Sequence, residues 1–355
     1  MNFLLTKTLR YALLMMFLVV LAGASCEHTT KTSDKNPDVT QATSNERIIA
    51  FYNVENLFDT ADDPKTMDED FTPSGKLQWD EARYRVKLNQ LTKVFDALPG
   101  NVPAFIGMCE IENRKVLEDL IEMPIFGGRY QIIHKDSPDE RGIDAAAIYD
   151  STLIKIDWFN YTTINLPDDA DPHTRDILYA KATIDNEQLH LFVNHWPSRG
   201  GGQTETEKNR VAVANVLESL TGKIKKSDKD AKILIMGDFN DFPTDVSISK
   251  TIRAGISPDD EFFNYMYDDC VAGKGSYFYK GAWDALDQFI GSWALKNSSK
   301  GWFAREDAAH IFNDDLVMFT DKEGNKRPNR TYIGDRYNEG GFSDHLPIYI
   351  TLSRK

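Results

Sequence analysis

Short apolar segments of this chain repeatedly end at acidic, amide or imidazole side chains. The segments, each with a polar residue that follows it, are 47–52 with Asn53, 103–109 with Glu110, 188–193 with His195, 233–236 with Asp238, and 346–352, which is preceded by Ser343-Asp344-His345. Apolar runs of about four to eight residues bounded by turn formers are typical of buried strands. Strand ends at one edge of a sheet can assemble a site. We therefore expect a polar site at one rim of the fold.

Other segments show the spacing of helices and hairpins. Apolar residues recur at helical spacing through residues 79–98 and 204–220, and a shorter helix is predicted at 116–121. Further strands are predicted at 130–134, 145–149, 177–184 and 283–292, with 177–184 and 188–193 forming a hairpin over Asp185-Asn186. Strands thus alternate with a few helices, and hairpins are mixed in. This pattern favours an α/β fold with two layers of mixed sheet flanked by helices.

Charge and length limit the classes of function. The chain has 355 residues and a formal net charge of −14. An acidic surface repels polyanions, which argues against clamping long nucleic acid on a basic face. A phosphate substrate remains compatible, because a divalent cation held by carboxylates inverts the local potential. No internal repeat and no second polar linker follow residue 45, so residues 46–355 are predicted to form one domain.

The N-terminus is typical of an export signal. Lys7 and Arg10 precede the apolar residues 11–22, and this run is too short for a membrane span. Residues 1–25 are therefore predicted to be a signal peptide and the polar residues 26–45 a flexible tether.

Two cleavage sites fit this signal. Gly23-Ala24-Ser25-Cys26 resembles a bacterial lipoprotein box, which predicts acylation of Cys26 and a membrane-anchored lipoprotein of the bacterial envelope. Cleavage after Ala24 would instead give a periplasmic or secreted protein. The other cysteines, Cys109 and Cys270, are too few for a disulfide framework, and a single bridge between them stays open.

The polar clusters supply a set of side chains that one chemistry could use. The set contains four carboxylates, two amides and two imidazoles: Glu110, Asp238, Asp287, Asp344, Asn53, Asn240, His195 and His345. Carboxylate and amide oxygens suit Mg²⁺, with Mn²⁺ or Ca²⁺ as alternatives. Glu110 and Asp238 directly follow apolar strands, where burying an unpaired carboxylate costs several kcal/mol, so each needs a cation or hydrogen-bond donors. Strand alternation predicts that Asp238 and Asn240 lie on one face.

Six motifs resemble those of the endonuclease/exonuclease/phosphatase superfamily and stand in that family's order. They are Tyr-Asn-Val-Glu-Asn (52–56), Gly-Met-Cys-Glu (107–110), Asn-His-Trp (194–196), Gly-Asp-Phe-Asn-Asp (237–241), Leu-Asp-Gln-Phe-Ile (286–290) and Ser-Asp-His-Leu-Pro (343–347). The resemblance implies a DNase I-like fold, which is a four-layered sandwich of two mixed β-sheets flanked by helices. It also implies a metal-dependent phosphoesterase.

The resemblance assigns metal and water roles to six residues. Asn53 and Glu110 would hold one metal ion with help from Asp344. Asp238 and Asn240 would orient the attacking water and the phosphate. Glu55 would reach the metal through a water molecule.

It also assigns roles to the two imidazoles and their neighbours. His345, hydrogen-bonded to Asp287, would be a base or would stabilise charge on the phosphate. His195 would be a general acid or a phosphate ligand. Arg175 would contact the phosphate, and Asp144 would orient His195 or else be an ordinary turn residue.

The leading prediction is an exported, Mg²⁺-dependent phosphodiester hydrolase that acts as a nuclease and is a monomer. The alternative among enzymes is a phosphoesterase acting on phospholipid head groups or on sugar or inositol phosphates. The alternative outside enzymes is an inert binding lipoprotein that keeps the scaffold without the chemistry.

Overall fold

The computed structural model describes residues 45–100, 102–167, 169, 173–322 and 324–355. The predicted signal peptide, Cys26 and the predicted tether up to residue 44 lie outside the described residues. None of the helices in the described ranges is both apolar and long enough to cross a bilayer.

Nineteen strands and five α-helices make up the described chain. The strands are β1 (Glu46–Leu57), β2 (Phe105–Ile111), β3 (Tyr130–Ile133), β4 (Asp144–Asp150), β5 (Lys155–Thr162), β6 (Ile177–Ile184), β7 (Glu187–His195), β8 (Ile233–Asp238), β9 (Ala254–Gly255), β10 (Phe262–Asn264), β11 (Tyr277–Tyr279), β12 (Ala282–Asp284), β13 (Asp287–Ser292), β14 (Trp302–Ile311), β15 (Met318–Thr320), β16 (Lys326–Pro328), β17 (Tyr332–Ile333), β18 (Arg336–Tyr337) and β19 (Ile348–Arg354). The helices are α1 (Glu81–Ala97), α2 (Arg114–Ile121), α3 (Gln203–Ser227), α4 (Tyr267–Val271) and α5 (Trp293–Lys296). Short turns of 3₁₀-helix at Glu69–Phe71 and Pro124–Phe126 and a π-helical turn at Ser247–Ile252 complete the set.

Two mixed sheets form the centre of the fold. The first has six strands in the order β14-β19-β1-β2-β4-β3, and the second has seven in the order β5-β6-β7-β8-β13-β10-β9. In the first sheet β1 runs parallel to β2 and antiparallel to β19. In the second, β7 runs parallel to β8, and β8 runs antiparallel to β13. These pairings place the C-terminal ends of β1, β2, β7 and β8 beside the N-terminal end of β13.

Side-chain alternation divides the molecule into four layers. Ile49 and Phe51 of β1 point into the core between the sheets, whereas Ala50 and Tyr52 pack outward against the apolar face of α1. In the same way β7 and β8 present Leu191 and Met236 inward, and their outer residues pack against α3. The predicted four-layered sandwich of two mixed sheets flanked by helices is confirmed.

The two sheets pack closely against each other at Gly107. A Cβ atom on Gly107 would lie 2.9 Å from Met236 Sδ and 3.1 Å from Val193 Cγ2. Both neighbours belong to the opposite sheet, so a side chain at this position would require Met236 and Val193 to shift.

Most predicted elements are present, with two kinds of correction. The hairpin between β6 and β7 turns at Asp185 and Asn186, both of which have positive φ as the tight turn requires. The single strand predicted at 283–292 is wrong. The chain forms β12 and β13 instead, and β12 pairs with β11 in a separate two-stranded hairpin. The edge strands β5 and β14 were not predicted. Cys109 and Cys270 are both free thiols, so no bridge joins them.

Candidate active site

The strand ends converge on one cavity of about 830 Å³ at a rim of the sandwich. Its lining includes eight of the residues singled out from the sequence: Asn53, Glu110, Arg175, His195, Asp238, Asn240, Asp344 and His345. Asp287 is buried directly behind His345. Segments nearly 300 residues apart in the chain therefore meet at one place.

Bulges at the ends of β1 and β2 aim the acidic side chains. The pairing between these strands shifts register after Asn53, and Glu110 interrupts the pairing of β2 with β4. Glu110 has a φ of +63°, and Glu55 and Asn56 have φ values of +52° and +55°. Residues other than glycine rarely adopt this left-handed conformation, which persists only where the surroundings enforce it. Here the Asn56 N–H donates to Glu110 Oε2 at 2.9 Å.

Asn53 connects the carboxylates of the two sheets. Its Nδ2 donates to Asp238 Oδ2 at 3.1 Å and lies 3.5 Å from Glu110 Oε1. Its Oδ1 accepts from the backbone N–H of Glu55 at 3.1 Å, and its carbonyl accepts from Ser343 Oγ at 2.6 Å. A single buried amide thus fixes the relative positions of three motifs.

Asp238 lies between the two imidazoles. Its Oδ2 is 3.7 Å from His345 Nε2 and 3.8 Å from His195 Nε2. Burial raises the pKa of Asp238 to about 6, and the neighbouring charge of Asp287 adds to the effect. A hydrogen-bond acceptor that contacts both rings is therefore held in a place from which water is largely excluded.

Asn240 reaches the cavity by a different route from the one that strand alternation predicts. The strand ends at Asp238, and Asn240 has a φ of +48°. Its N–H donates to Asp238 Oδ1 at 3.0 Å, and its Nδ2 donates to the Trp196 carbonyl at 3.1 Å. The prediction that the two side chains lie together is correct, but a left-handed turn rather than a strand brings them together.

His345 forms a close pair with Asp287. Its Nδ1 lies 2.6 Å from Asp287 Oδ2, and Ser276 Oγ donates to the same carboxylate. Burial alone would lower the pKa of His345, but the negative charges of Asp287 and Asp238 outweigh it and raise that pKa well above its ordinary value. His345 is therefore held as the imidazolium.

His195 is in the opposite electrostatic state. Burial, followed by the positive charges of Arg175 and Arg141, lowers its pKa well below the ordinary value. Its Nδ1 is buried without a hydrogen-bond partner among the described residues. The expected contact with Asp144 is absent, because Asp144 Oδ2 lies 2.9 Å from His134 Nε2 and its Oδ1 accepts from the Ser137 N–H. The prediction that Asp144 orients His195 is therefore wrong.

Arg175 forms part of the cavity wall and is fixed in place. Its Nη1 lies 3.0 Å from Asp139 Oδ2, and its Nη2 donates to the Trp196 carbonyl at 2.6 Å. Its Nε is buried without a partner among the described residues. The guanidinium is thus held next to His195, where a phosphate oxygen could accept from it.

Glu55 anchors the loop that carries Asp344. Its Oε2 accepts from the Thr331 N–H at 2.6 Å, and its Oε1 accepts from Arg330 Nε at 3.4 Å. Arg330 in turn donates from Nη2 to Asp344 Oδ2 at 2.9 Å. With both oxygens engaged, Glu55 positions the loop, whereas the predicted contact with a metal through water has no support in these bonds.

Lys87 is a site-supporting residue that the sequence reading missed. It is fully buried in α1, and its Nζ donates to Thr331 Oγ1 at 2.7 Å and to the Phe342 carbonyl. Burial lowers the pKa of Lys87 to about 8. A signal was present, because Lys87 stands three residues after Tyr84 and four before Leu91 on the apolar face of the helix.

The oxygen donors of the site fit a hard divalent cation. Asn53, Glu110 and Asp344 all line the cavity, and Glu110 has no basic partner among the described residues. A half-buried carboxylate without a counter-charge needs a cation or protonation. A second group, Asp238, Asp287 and His345, also brings three possible ligand atoms within 4.8 Å of one another. Its Asp287 Oδ2 is already bonded to His345 Nδ1 and to Ser276 Oγ, whereas Glu110 Oε1 has only a 3.5 Å contact with Asn53 Nδ2, so Asn53, Glu110 and Asp344 are the better set.

Solved structures of low sequence identity share this fold. A humanized TDP2 from D. rerio superposes with a TM-score of 0.54 at 15% identity, covering 87% of this chain and 99% of that one. A mannosyl-6-phosphatase from Bacteroides thetaiotaomicron gives a TM-score of 0.52 at 15% identity, covering 86% and 99%. The catalytic domain of human Nocturnin, solved with a bound sulfate, gives a TM-score of 0.52 at 14% identity, covering 87% and 95%.

Sequence comparison places the chain in a family. No curated protein sequence matches it significantly. The sequence model of the Endonuclease/Exonuclease/phosphatase family, whose members are hydrolytic phosphoesterases, matches residues 48–354, which include all six motifs and every candidate active-site residue. This chain therefore belongs to the endonuclease/exonuclease/phosphatase family.

Proposed function

We propose that this protein is an exported phosphodiester hydrolase that depends on a divalent metal ion and acts as a nuclease. The observation that carries the proposal is the position of Asp238, whose Oδ2 lies 3.7 Å and 3.8 Å from the Nε2 atoms of two imidazoles. Hydrolysis of a phosphodiester needs a group that orients water, a donor to the phosphate oxygens and a proton for the leaving oxygen. This cluster supplies all three, and its carboxylate is positioned by Asn53.

A metal ion bound by Asn53, Glu110 and Asp344 would supply Lewis acidity and polarise a water molecule. The protein side chains would orient the water and transfer the protons. Asp238 can accept a hydrogen bond from the attacking water and so orient it. His345, held as the imidazolium by Asp287, can donate its Nε2 proton to the phosphate or to the leaving oxygen. His195, held neutral, can donate one hydrogen bond or accept a proton, which favours the role of phosphate ligand.

Cationic side chains that could contact a phosphodiester also line the cavity, together with the carboxylates of Glu110, Asp238, Asp284 and Asp344. Four cationic residues line it: Arg141, Arg175, Arg199 and Lys280. A D. rerio TDP2 structure with the same fold was solved as a complex with a single-strand DNA product, whereas another neighbour is a mannosyl-6-phosphatase. The fold is compatible with either substrate, so the class must be separated by experiment.

Metal dependence is the direct test. We expect the purified protein to hydrolyse bis(p-nitrophenyl) phosphate with Mg²⁺, and chelation by EDTA to lower the rate by at least about a hundredfold, because the ion contributes several kcal/mol of charge stabilisation. Adding back Mg²⁺, Mn²⁺ and Ca²⁺ separately identifies the ion. Single-stranded DNA, duplex DNA, RNA, sphingomyelin, inositol phosphates and a hexose 6-phosphate are assayed in parallel. Activity that survives chelation would contradict the proposal.

We further propose that residues 1–25 are a cleaved signal, that Cys26 is acylated, and that residues 46–355 act as a monomeric domain on the tether 26–45.

We expect Cys26→Ser to move the protein from the membrane fraction to the soluble exported fraction, because one or more acyl chains supply the membrane affinity. Cell fractionation and radiolabelled palmitate incorporation measure this. Equal membrane association of the parent and the variant would rule out the lipid anchor.

A further inference from the structure

The hairpin of β11 and β12 presents two tyrosines to the active-site cavity. Because neighbouring side chains of a strand point to opposite faces, Tyr277 and Tyr279 share one face and Phe278 takes the other, where it packs edge-to-face on Trp283. The two tyrosine rings lie nearly parallel, with centroids 6.3 Å apart and an interplanar angle of 21°. Tyr279 is 52% exposed. Tyr277 is half-buried, so the pair offers one exposed and one partly exposed ring on the cavity wall, which is a feature of ligand-binding surfaces.

The pair begins directly at the catalytic centre. Tyr277 forms a backbone bridge with His345, and its ring centroid lies 4.7 Å from that of the imidazole. The Leu346 N–H also donates to the Ser276 carbonyl at 2.7 Å, so the hairpin is joined to the His345 segment. A group attached to a phosphate at His345 would therefore meet the ring of Tyr277 first and that of Tyr279 next.

Cations without a carboxylate partner lie on both sides of the centre. Among the described residues, Arg141 donates to the neutral Asn56 Oδ1 at 2.7 Å, and Lys280 Nζ lies 5.0 Å from the Tyr279 ring centroid, but neither forms an ion pair. Arg141 is on the side of Arg175, which stands two residues before β6, because Asp139 accepts from the Arg141 backbone N–H and also binds Arg175. Lys280 is at the tip of the hairpin that leads to β13. The sheet order β6-β7-β8-β13 then places His195 at the end of β7 and Asp238 at the end of β8 between the strands that the two cations adjoin, and all four residues line the one cavity.

We propose that this cavity binds an unpaired nucleic acid strand along the rim, with a base stacked on Tyr277 and Tyr279 and the flanking phosphates at Lys280 and Arg141. This inference rests on the proposed phosphodiesterase function and names its substrate class. A free cation on either side of the scissile position suits a strand with charge on both sides better than a terminal phosphate monoester. Bases in a duplex are already stacked and paired, so their faces are accessible to the rings only in an unpaired strand.

The acidic surface limits the length of strand that is bound. With a net charge of −14, the protein repels a polyanion outside the cavity, so the contacts are confined to the few nucleotides at the rim. We therefore expect affinity to stop increasing once an oligonucleotide fills the cavity.

Binding of a fluorescein-labelled oligo(dT) to the His195→Ala protein, which is not expected to cleave it, tests the aromatic contacts by anisotropy. We expect Tyr279→Ala to raise the dissociation constant about tenfold, which is in the range found for loss of one stacked base. Tyr279→Phe keeps an aromatic ring and should leave the dissociation constant unchanged. Phe319→Ala is the matched control, because Phe319 is an exposed aromatic residue (40%) on the separate hairpin of β15 and β16. It should leave the affinity unchanged.

Salt dependence tests the phosphate contact at the hairpin tip. We expect Lys280→Gln to reduce the slope of log affinity against log salt concentration by about 0.7, the value for one contact to a single strand. Lys250→Gln, which removes an exposed lysine outside the cavity, should leave the slope unchanged.

The outcomes separate this inference from the proposed function. Equal binding of duplex and single strand together with no effect of Tyr279→Ala would overturn the inference. The inference would also be overturned if Tyr279→Ala weakened the binding of a hexose 6-phosphate but not that of the oligonucleotide, because the tyrosine rings would then contact a sugar. In both cases hydrolysis of bis(p-nitrophenyl) phosphate by the parent protein would still stand. If the parent protein hydrolysed no phosphodiester, the proposed function itself would be contradicted.

Discussion

Asp238→Asn is expected to lower kcat for phosphodiester hydrolysis by about 10³-fold or more, because groups that transfer or position protons each contribute about 10²–10⁴-fold. The carboxylate accepts from Asn53 Nδ2 and lies within 4 Å of both imidazoles, with distances of 3.7 Å and 3.8 Å. Asparagine keeps the size of the side chain but replaces one acceptor oxygen with a donor. The attacking water then loses its orienting acceptor, and His345 loses a negative neighbour.

The same substitution should not destabilise the fold. Burial raises the pKa of Asp238 to about 6, so above that pH the folded protein holds a charge that an apolar environment disfavours. A neutral asparagine removes that penalty, and this gain offsets the one hydrogen bond lost where its amide nitrogen meets the Asn53 or Asn240 donor. We therefore expect an inactive variant whose free energy of unfolding, measured by urea denaturation near neutral pH, equals or exceeds that of the parent.

Asp150→Asn is the matched control with the opposite signature. Asp150 is at the far end of β4 from the cavity, and its carboxylate accepts from Thr152 and Arg129. Burial raises its pKa, but these hydrogen bonds outweigh burial and lower it. Asp150→Asn should lower the free energy of unfolding at pH values above the pKa that the Asp150 carboxyl has in the unfolded chain. It should keep full activity. An Asp238→Asn protein that is unstable yet active per folded molecule would refute the assigned role.

The sequence predicts the strand ends well, because two constraints agree there. An apolar run such as residues 233–236 must be buried, and the acid that follows it must lie near solvent or a counter-charge. The edge strands β5 and β14 were missed because they lack that signature. Trp158 and Phe159 of β5 are exposed at 52% and 45%, so the segment has no apolar periodicity to recognise.

The parts of the site that sequence could not predict depend on backbone geometry and tertiary approach. Nothing in the residues around Glu110 indicates a positive φ, since Glu110 stands within β2, and Asn240 adopts one just beyond the end of β8, where the regular strand was expected to continue. The partner of Asp144 also depends on which segment crosses the end of β4. That segment carries His134, only ten residues away, whereas His195 is on the other sheet. Motif order identifies the members of the site but not the bonds between them.

Asp287→Asn should reduce activity about 10²- to 10⁴-fold and should also change its pH dependence. Asp287 Oδ2 lies 2.6 Å from His345 Nδ1, so its charge fixes the ring orientation and favours the protonated ring. An asparagine keeps the size of the side chain but removes the charge. Removal of active-site carboxylates that orient a histidine has effects of this order in other enzymes.

The direction of the pH change follows from the competing effects on His345. Burial lowers its pKa, and Asp287 is the first of the negative charges that reverse this and raise it well above the ordinary value. Without Asp287 the imidazolium loses its proton at a lower pH. If the protonated ring of His345 is the catalytically active form, the variant loses activity as pH rises through a range in which the activity of the parent is constant. The alkaline limb of the profile therefore moves to lower pH.

A profile of kcat/KM from about pH 5 to about pH 9, the range over which a histidine changes charge, measures this shift. Ser276→Ala is the control, because it removes one hydrogen bond to Asp287 but leaves the carboxylate charge beside His345. It should cost less activity and leave the alkaline limb in place. An acidic limb that moves to lower pH in Asp287→Asn, with the alkaline limb in place, would mean that His345 works as the neutral base. Asp287 would then serve to strengthen that base, and the proton donor to the leaving oxygen would have to be another group at the rim.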